Sequence, residues 1–136
     1  MICRKPEQNH IELLDKEGLG FIAFSPLAQG LLTNRYINGI PEDSRVFKEG
    51  SFLHKEDITA EWVEKARKLN EVALSRGQSL AQMSLSWLLA KRYVTSVIAG
   101  VSSIRQLDDN LATVNAPAFT EEDMTHIDEI LSDSIV

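Results

Sequence analysis

Apolar residues recur along this chain with two periods, and the breaks between them mark the elements. Residues 7–17 place Ile11, Leu13 and Leu14 on one side of a helix that stops at Gly18, a residue that tolerates the left-handed cap conformation. Gly20-Phe21-Ile22-Ala23-Phe24 follows, apolar throughout and stopped by Ser25-Pro26. Such an unalternating run suits a parallel strand covered on both faces. From Ser25 to about Ile58 the chain is rich in Gly, Pro, Asn, Asp and Ser, and Gly30, Gly39, Pro41 and Gly50 interrupt any long period. Structureless loops longer than about 12–15 residues are usually lids, binding loops or disordered, so this stretch is marked as functional.

Thr59 opens the next helix, in which Trp62, Ala66, Leu69, Val72 and Ala73 keep the helical spacing and Arg76-Gly77 closes the pattern. Trp62 reads as a packing residue. Ser79 and Gln82 fit a capping box for a further helix running to about Lys91, whose Leu80, Met83, Leu85, Trp87, Leu88 and Leu89 spread round the circumference and predict burial. The strand at 95–99 ends at Gly100, and Ser102-Ser103 opens a short helix with Leu107, Leu111 and Val114 on one side. Phe119, Thr120, Asp123 and Met124 combine a hydrophobic staple with a capping box, starting a last helix with Ile127 and Leu131 facing inward.

The predicted order is therefore two strands, at about 20–24 and 95–99, among about five helices. Strands separated by helices imply right-handed crossovers and a parallel α/β sheet. Two parallel strands close no barrel and leave unpaired edges and uncovered faces, so the expectation is one partial domain over residues 1–136.

Composition narrows the reading. A chain of 136 residues with 43% hydrophobic and 25% charged side chains matches one ordinary globular domain. No run approaches the ~18 apolar residues of a membrane helix. A net charge of −6 argues against a nucleic-acid surface while leaving small anions open. The start Met1-Ile2-Cys3-Arg4-Lys5-Pro6 lacks the apolar stretch of a secretory signal and Cys3 has no cysteine to pair with, so a reducing cytoplasm is expected. Cys3 reads as incidental rather than nucleophilic. His10, His54 and His126 lack the close spacing of zinc ligands, so no metal site is assigned.

Gly18-Leu19-Gly20-Phe21-Ile22-Ala23 matches the dinucleotide fingerprint only superficially, because that motif needs a strand before it and a helix after it. The chemistry is better sought in the turns after the strands, since α/β ligands sit beyond the carboxyl ends and phosphates favour helix N-termini. At Gly100-Val101-Ser102-Ser103 the glycine permits close backbone approach and the two hydroxyls can donate. Ser103 to Gln106 is equally a capping box occupied in structural work. Ser25-Pro26-Leu27-Ala28-Gln29-Gly30 can be a binding turn or an ordinary strand exit.

Three ordered segments resemble one family. Phe24-Ser25-Pro26-Leu27-Ala28-Gln29-Gly30-Leu31-Leu32-Thr33, and Gly100-Val101-Ser102-Ser103 with Gln106, Asp109 and Asn110, look like the seventh and eighth strand exits of the aldo-keto reductases. Arg76-Gly77-Gln78-Ser79-Leu80-Ala81-Gln82-Met83-Ser84-Leu85-Ser86-Trp87-Leu88-Leu89 is similar to the helix before the last strand. The likeness is nearest to the branch that includes bacterial glyceraldehyde 3-phosphate reductases and potassium-channel β subunits, and runs from about Leu13 to Ser132, with residues 1–9 outside it.

That resemblance implies a (β/α)8 TIM barrel that reduces aldehydes and ketones with NADPH, of which this chain would be the C-terminal half, since such barrels take ~250 residues. It implies that Ser25, Leu27, Gln29 and Gly30 line the pyrophosphate, and that Gly100, Ser102, Ser103, Gln106, Asp109 and Asn110 hold the adenosine end. Asp109 stands where the family usually has Glu, and Ser103 where some relatives have a basic residue for the 2′-phosphate, so NAD is also allowed. Arg45 in the loop either supplies that charge or is a solvated arginine. The family's catalytic Tyr, Lys, Asp and His match nothing here, and Tyr36 and Tyr93 do not replace them. The implied partners are the dinucleotide and, only with an N-terminal half, a small carbonyl substrate. Uncovered apolar faces predict self-association.

Overall fold

The computed structural model describes residues 1–132. Its sheet pairs β1 (Phe21–Phe24) in parallel with β2 (Val94–Ile98), joining Ile22 to Ser96, Ala23 to Val97 and Phe24 to Ile98. The predicted parallel crossover is therefore present; β1 starts one residue later than expected and ends where expected, and β2 lies one residue earlier. The ladder is irregular at its start. Phe21 lies opposite Val94 but Ile22 opposite Ser96, so Thr95 is an extra residue in the ladder. Its Oγ1 accepts the Phe21 N–H at 3.2 Å, replacing the missing ladder bond. A Cβ on Gly20 would fall 2.5 Å from that oxygen, so only glycine fits there.

Six α-helices lie among the described residues, one more than expected. The helix predicted over 7–17 is two pieces, α1 (Lys5–Asn9) and α2 (Ile11–Lys16), because Pro6 starts α1 early and His10 serves as C-cap of one and N-cap of the other. Next come α3 (Ala60–Ser75), α4 (Leu80–Leu89), α5 (Ile104–Leu111) and α6 (Glu121–Leu131). The caps read from sequence form: Thr59 Oγ1 accepts the Trp62 N–H at 3.0 Å, and both boxes, Ser79 with Gln82 and Thr120 with Asp123, are complete. The loop over 25–58 is not structureless. Short 3-10 turns at Ala28–Gly30, Asn34–Tyr36, Arg45–Phe47 and Lys55–Asp57 fold it back on itself.

The core lies among the helices rather than in the sheet. Ala66, Leu69, Val72 and Ala73 of α3 meet Leu80, Met83 and Trp87 of α4 and Ile127 and Leu131 of α6, with Phe119 and Met124 packed at the margin. Each large apolar side chain so buried stabilises the fold by about 1.5–3 kcal/mol. Arg76 ties the turn between α3 and α4 to the start of α6: its guanidinium lies 3.8 Å over the Phe119 ring, donates to the Pro117 carbonyl at 2.7 Å, and pairs with Asp123.

Cover is one-sided. Phe21, Ala23 and Val97 are half-buried, whereas Ile22 (56%), Phe24 (80%) and Ile98 (62%) are exposed. The expected double cover of the first strand is thus corrected: the helices of these residues coat one face only. The predicted apolar side of α5 also faces solvent, with Leu107, Leu111 and the following Val114 all exposed. Among the described residues no helix is long and apolar enough to cross a membrane.

Candidate functional site

Because Phe24 pairs with Ile98, the two strands end side by side and their exit turns leave from the same edge of the sheet. The first exit is conformationally unusual. Ser25 (φ 49°), Ala28 (φ 45°) and Gln29 (φ 58°) are left-handed non-glycine residues, and Gly30 follows at φ 104°. Each such residue costs of order 1–3 kcal/mol when the surroundings force it, and clusters of them mark ligand clamps. The turn is held by Ala28 N–H to Ser25 O at 2.9 Å, Gly30 N–H to Leu27 O at 2.9 Å, and the Thr33 hydroxyl to Gly30 O at 2.7 Å. Ser25 is exposed and Gln29 half-buried at this edge. The Leu27 side chain packs against the core, so any contact it makes with a ligand runs through its backbone.

Beneath the turn sits Tyr36, 2% exposed, its hydroxyl 3.1 Å from Ser44 Oγ. A Cβ on Gly30 would already touch the Tyr36 ring at 3.4 Å. Ser44 Oγ also accepts the Val46 N–H at 3.3 Å, which orders the short turn carrying Arg45. Arg45 itself is exposed. The loop is therefore anchored to the strand exit by a buried aromatic.

At the second exit, Ser102 and Ser103 are exposed just before α5. Ser103 Oγ accepts the Gln106 N–H at 3.2 Å as the N-cap. The expected reciprocal box is corrected by one residue: Gln106 Oε1 receives the Ser102 N–H at 2.8 Å and the Ser102 hydroxyl at 3.0 Å, rather than the Ser103 N–H. Gly100 is exposed, and Asn110 is half-buried one turn beyond Gln106. Asp109 points elsewhere, its carboxylate receiving the Ser79 hydroxyl at 3.2 Å and the Gln82 amide at 3.0 Å at the start of α4. Sequence reasoning found the Ser79–Gln82 box but not its third member, which lies 30 residues from Ser79. The left-handed conformations of Ser25, Ala28 and Gln29 were also missed, since these residue types carry no such signal.

Neither tyrosine is placed as a proton donor. Tyr36 is committed to Ser44, and the Tyr93 hydroxyl donates to Glu7 at 2.7 Å. Burial, together with that bond, pushes the Tyr93 phenol well above its ordinary value.

The sequence profile of the Aldo/keto reductase family matches residues 1–132. The chain belongs to the aldo/keto reductase family. The match begins at residue 1, so residues 1–9, expected to lie outside the likeness, fall within it. The chain is 47% identical over 126 residues to the L-glyceraldehyde 3-phosphate reductase of Escherichia coli O157:H7 and 45% identical to that of strain K12. It is 32% identical over 130 residues to a probable voltage-gated potassium channel subunit beta of rice (Oryza sativa subsp. japonica). These alignments take in 90–93% of this chain but only 36–40% of the relatives. An aldo-keto reductase of Bacillus halodurans, solved in its holo form, superposes on 99% of the chain with a TM-score of 0.69 at 27% identity, using 41% of its own length. The two parallel strands and their helices thus have the fold of part of an aldo-keto reductase TIM barrel.

Proposed function

We propose that this chain is the nucleotide-gripping part of an NADP-linked oxidoreductase that reduces aldehydes or ketones. The observation that carries the reading is the pairing of Phe24 with Ile98, which sets a left-handed turn and a serine-capped helix start at one edge. Ser25, Gln29, Gly30 and the Leu27 backbone face the pyrophosphate in this reading, while Gly100, Ser102, Ser103, Gln106 and Asn110 face the adenosine end. Backbone N–H groups and the α5 dipole favour phosphate there, which fits a dinucleotide. Arg45 is the cation assigned to the 2′-phosphate, and with serine at 103 NADH is also accepted. The nicotinamide, when bound, supplies the hydride. This chain supplies binding and orientation, and no catalytic residue is assigned to it. Both tyrosines are tied to other groups, so proton donation to a carbonyl falls to residues outside the 136. The reading places the protein in the cytoplasm.

A second reading, a non-catalytic nucleotide- or partner-binding module that completes a split barrel, is favoured by the open sheet face. One pair of measurements tests both. Calorimetric titration with NADPH and with NADH should give saturable binding that Gly30→Val weakens at least about tenfold by pressing on Tyr36 and straining φ. Absence of saturable heat with either nucleotide refutes nucleotide gripping. Steady aldehyde-dependent NADPH oxidation by the chain alone, abolished by a substitution within it, refutes the absence of proton-transfer groups.

A further inference from the structure

The sequence likeness sets Asp109 among the nucleotide ligands, but the fold engages both of its carboxylate oxygens at the start of α4. Oδ2 accepts the Ser79 hydroxyl at 3.2 Å, Oδ1 accepts the Gln82 amide at 3.0 Å, and the same amide nitrogen donates to the Asp109 carbonyl at 3.0 Å. The donors come from a closed box. Ser79 Oγ accepts the Gln82 N–H at 3.2 Å, and Gln82 Oε1 accepts the Ser79 N–H at 2.9 Å. What remains on those two side chains is one hydroxyl proton and one amide group, and both go to Asp109. A carboxylate at this place also meets the positive end of the α4 dipole, where negative charge is favoured.

α5 depends on such ties more than the other long helices do. It buries none of its residues, and Ile104, Leu107 and Leu111 are exposed, so it lacks the apolar seam that fixes α3, α4 and α6. From Asp109 one helical turn leads back to Gln106. That residue holds the Ser102 N–H and hydroxyl with its side chain and the Ser103 hydroxyl with its backbone. The link from α4 to the strand exit is thus unbroken: Ser79 and Gln82, then Asp109, then α5, then Ser102 and Ser103.

We propose that Asp109 is a positioning residue, which fixes α5 against the start of α4 and thereby sets where Ser102, Ser103 and Asn110 meet the nucleotide, without touching the nucleotide itself. The inference rests on the nucleotide-binding reading above, and the two fail separately. In the full chain without ligand, Asp109→Asn should speed exchange of the Leu107 amide, which donates to Ser103 O at 3.1 Å, by about fivefold, the scale of one or two lost hydrogen bonds. In a Ser79→Ala/Gln82→Ala background the same change should add almost nothing. Equal acceleration in both backgrounds overturns the tie. With nucleotide, Asp109→Asn should weaken NADPH and its hypoxanthine analogue, which lacks the adenine amino group, by the same factor of about three to ten. Asp109→Glu should restore part of that loss. A selective loss of the preference for adenine assigns Asp109 to direct base contact and overturns the proposal. If the wild-type chain binds neither nucleotide while the exchange coupling persists, the nucleotide reading falls and takes with it the purpose assigned to the tie.

Discussion

Phe24→Ser removes the largest contributor to the uncovered face of the sheet. Parallel pairing puts Ile22, Phe24, Ser96 and Ile98 on one side, and the three apolar members are 56%, 80% and 62% exposed. Ordinary side-chain areas scaled by those exposures give about 400 Å² of apolar surface, at the upper end of what a monomer tolerates. Fully covering it would release roughly 10 kcal/mol per face. Two copies meeting there would bury about 800 Å² in total, short of the ~1,200 Å² of a stable specific interface. Lost rigid-body freedom, side-chain ordering and imperfect desolvation together cost about 12–16 kcal/mol of the roughly 20 released by two faces, so wild-type self-association is expected in roughly the micromolar to millimolar range. Phe24 carries about 40% of the patch, so serine should weaken association by more than about tenfold and lower the fluorescence of a bound apolar dye. Sedimentation equilibrium over a concentration series reads the first effect and dye titration the second. A wild-type chain that stays monomeric at several hundred micromolar without binding the dye, or a Phe24→Ser chain that associates as tightly as wild type, refutes the argument.

Two further outcomes follow from buried polar contacts. Tyr36→Phe should destabilise the chain by only about 1 kcal/mol in urea unfolding, because Ser44 Oγ keeps the Val46 N–H when the phenol is lost, whereas Tyr36→Ala should cost about 3–5 kcal/mol. Near-equal effects would show that the ring does not anchor the loop. Burial acts to raise the Asp123 carboxyl, but Thr120 and Arg76 outweigh it and hold the group below its ordinary range. A carboxylate depressed in this way stabilises the fold above its unfolded value near pH 4 and loses that contribution as pH falls through the lower folded value. Acid unfolding followed by circular dichroism should therefore be shallower below pH ~4 in Asp123→Asn than in wild type; identical profiles would remove Asp123 from the account.

Local chemistry determined a good deal by itself. Thr59, Ser79, Ser103 and Thr120 are N-caps because their short side-chain oxygens reach the free N–H groups of the first turn, and that depends on neighbours only. The burial of α4 from Leu80 to Trp87 follows from its apolar residues in the same way, though Leu89 at its end is exposed against expectation, and so does the parallel order of strands separated by helices. The strand-exit motifs were legible as a family likeness, which the profile match over residues 1–132 bears out.

Tertiary structure decided the rest, wherever the deciding partner lies far off in the chain. The bulge at Thr95 is set by Phe21 and Gly20, more than 70 residues away, and shifts the register between Phe21 and Ile22. The left-handed turn at 25–29 is held in part by Tyr36 packing beneath Gly30 rather than by any preference of Ser, Ala or Gln. Asp109 faces α4 because Ser79 and Gln82 leave hydrogens for it, and α5 shows its apolar side to solvent because nothing in residues 1–132 lies over it. Sequence periodicity reports that a face is apolar. What covers that face, or leaves it open, is settled by packing between segments that no local pattern encodes.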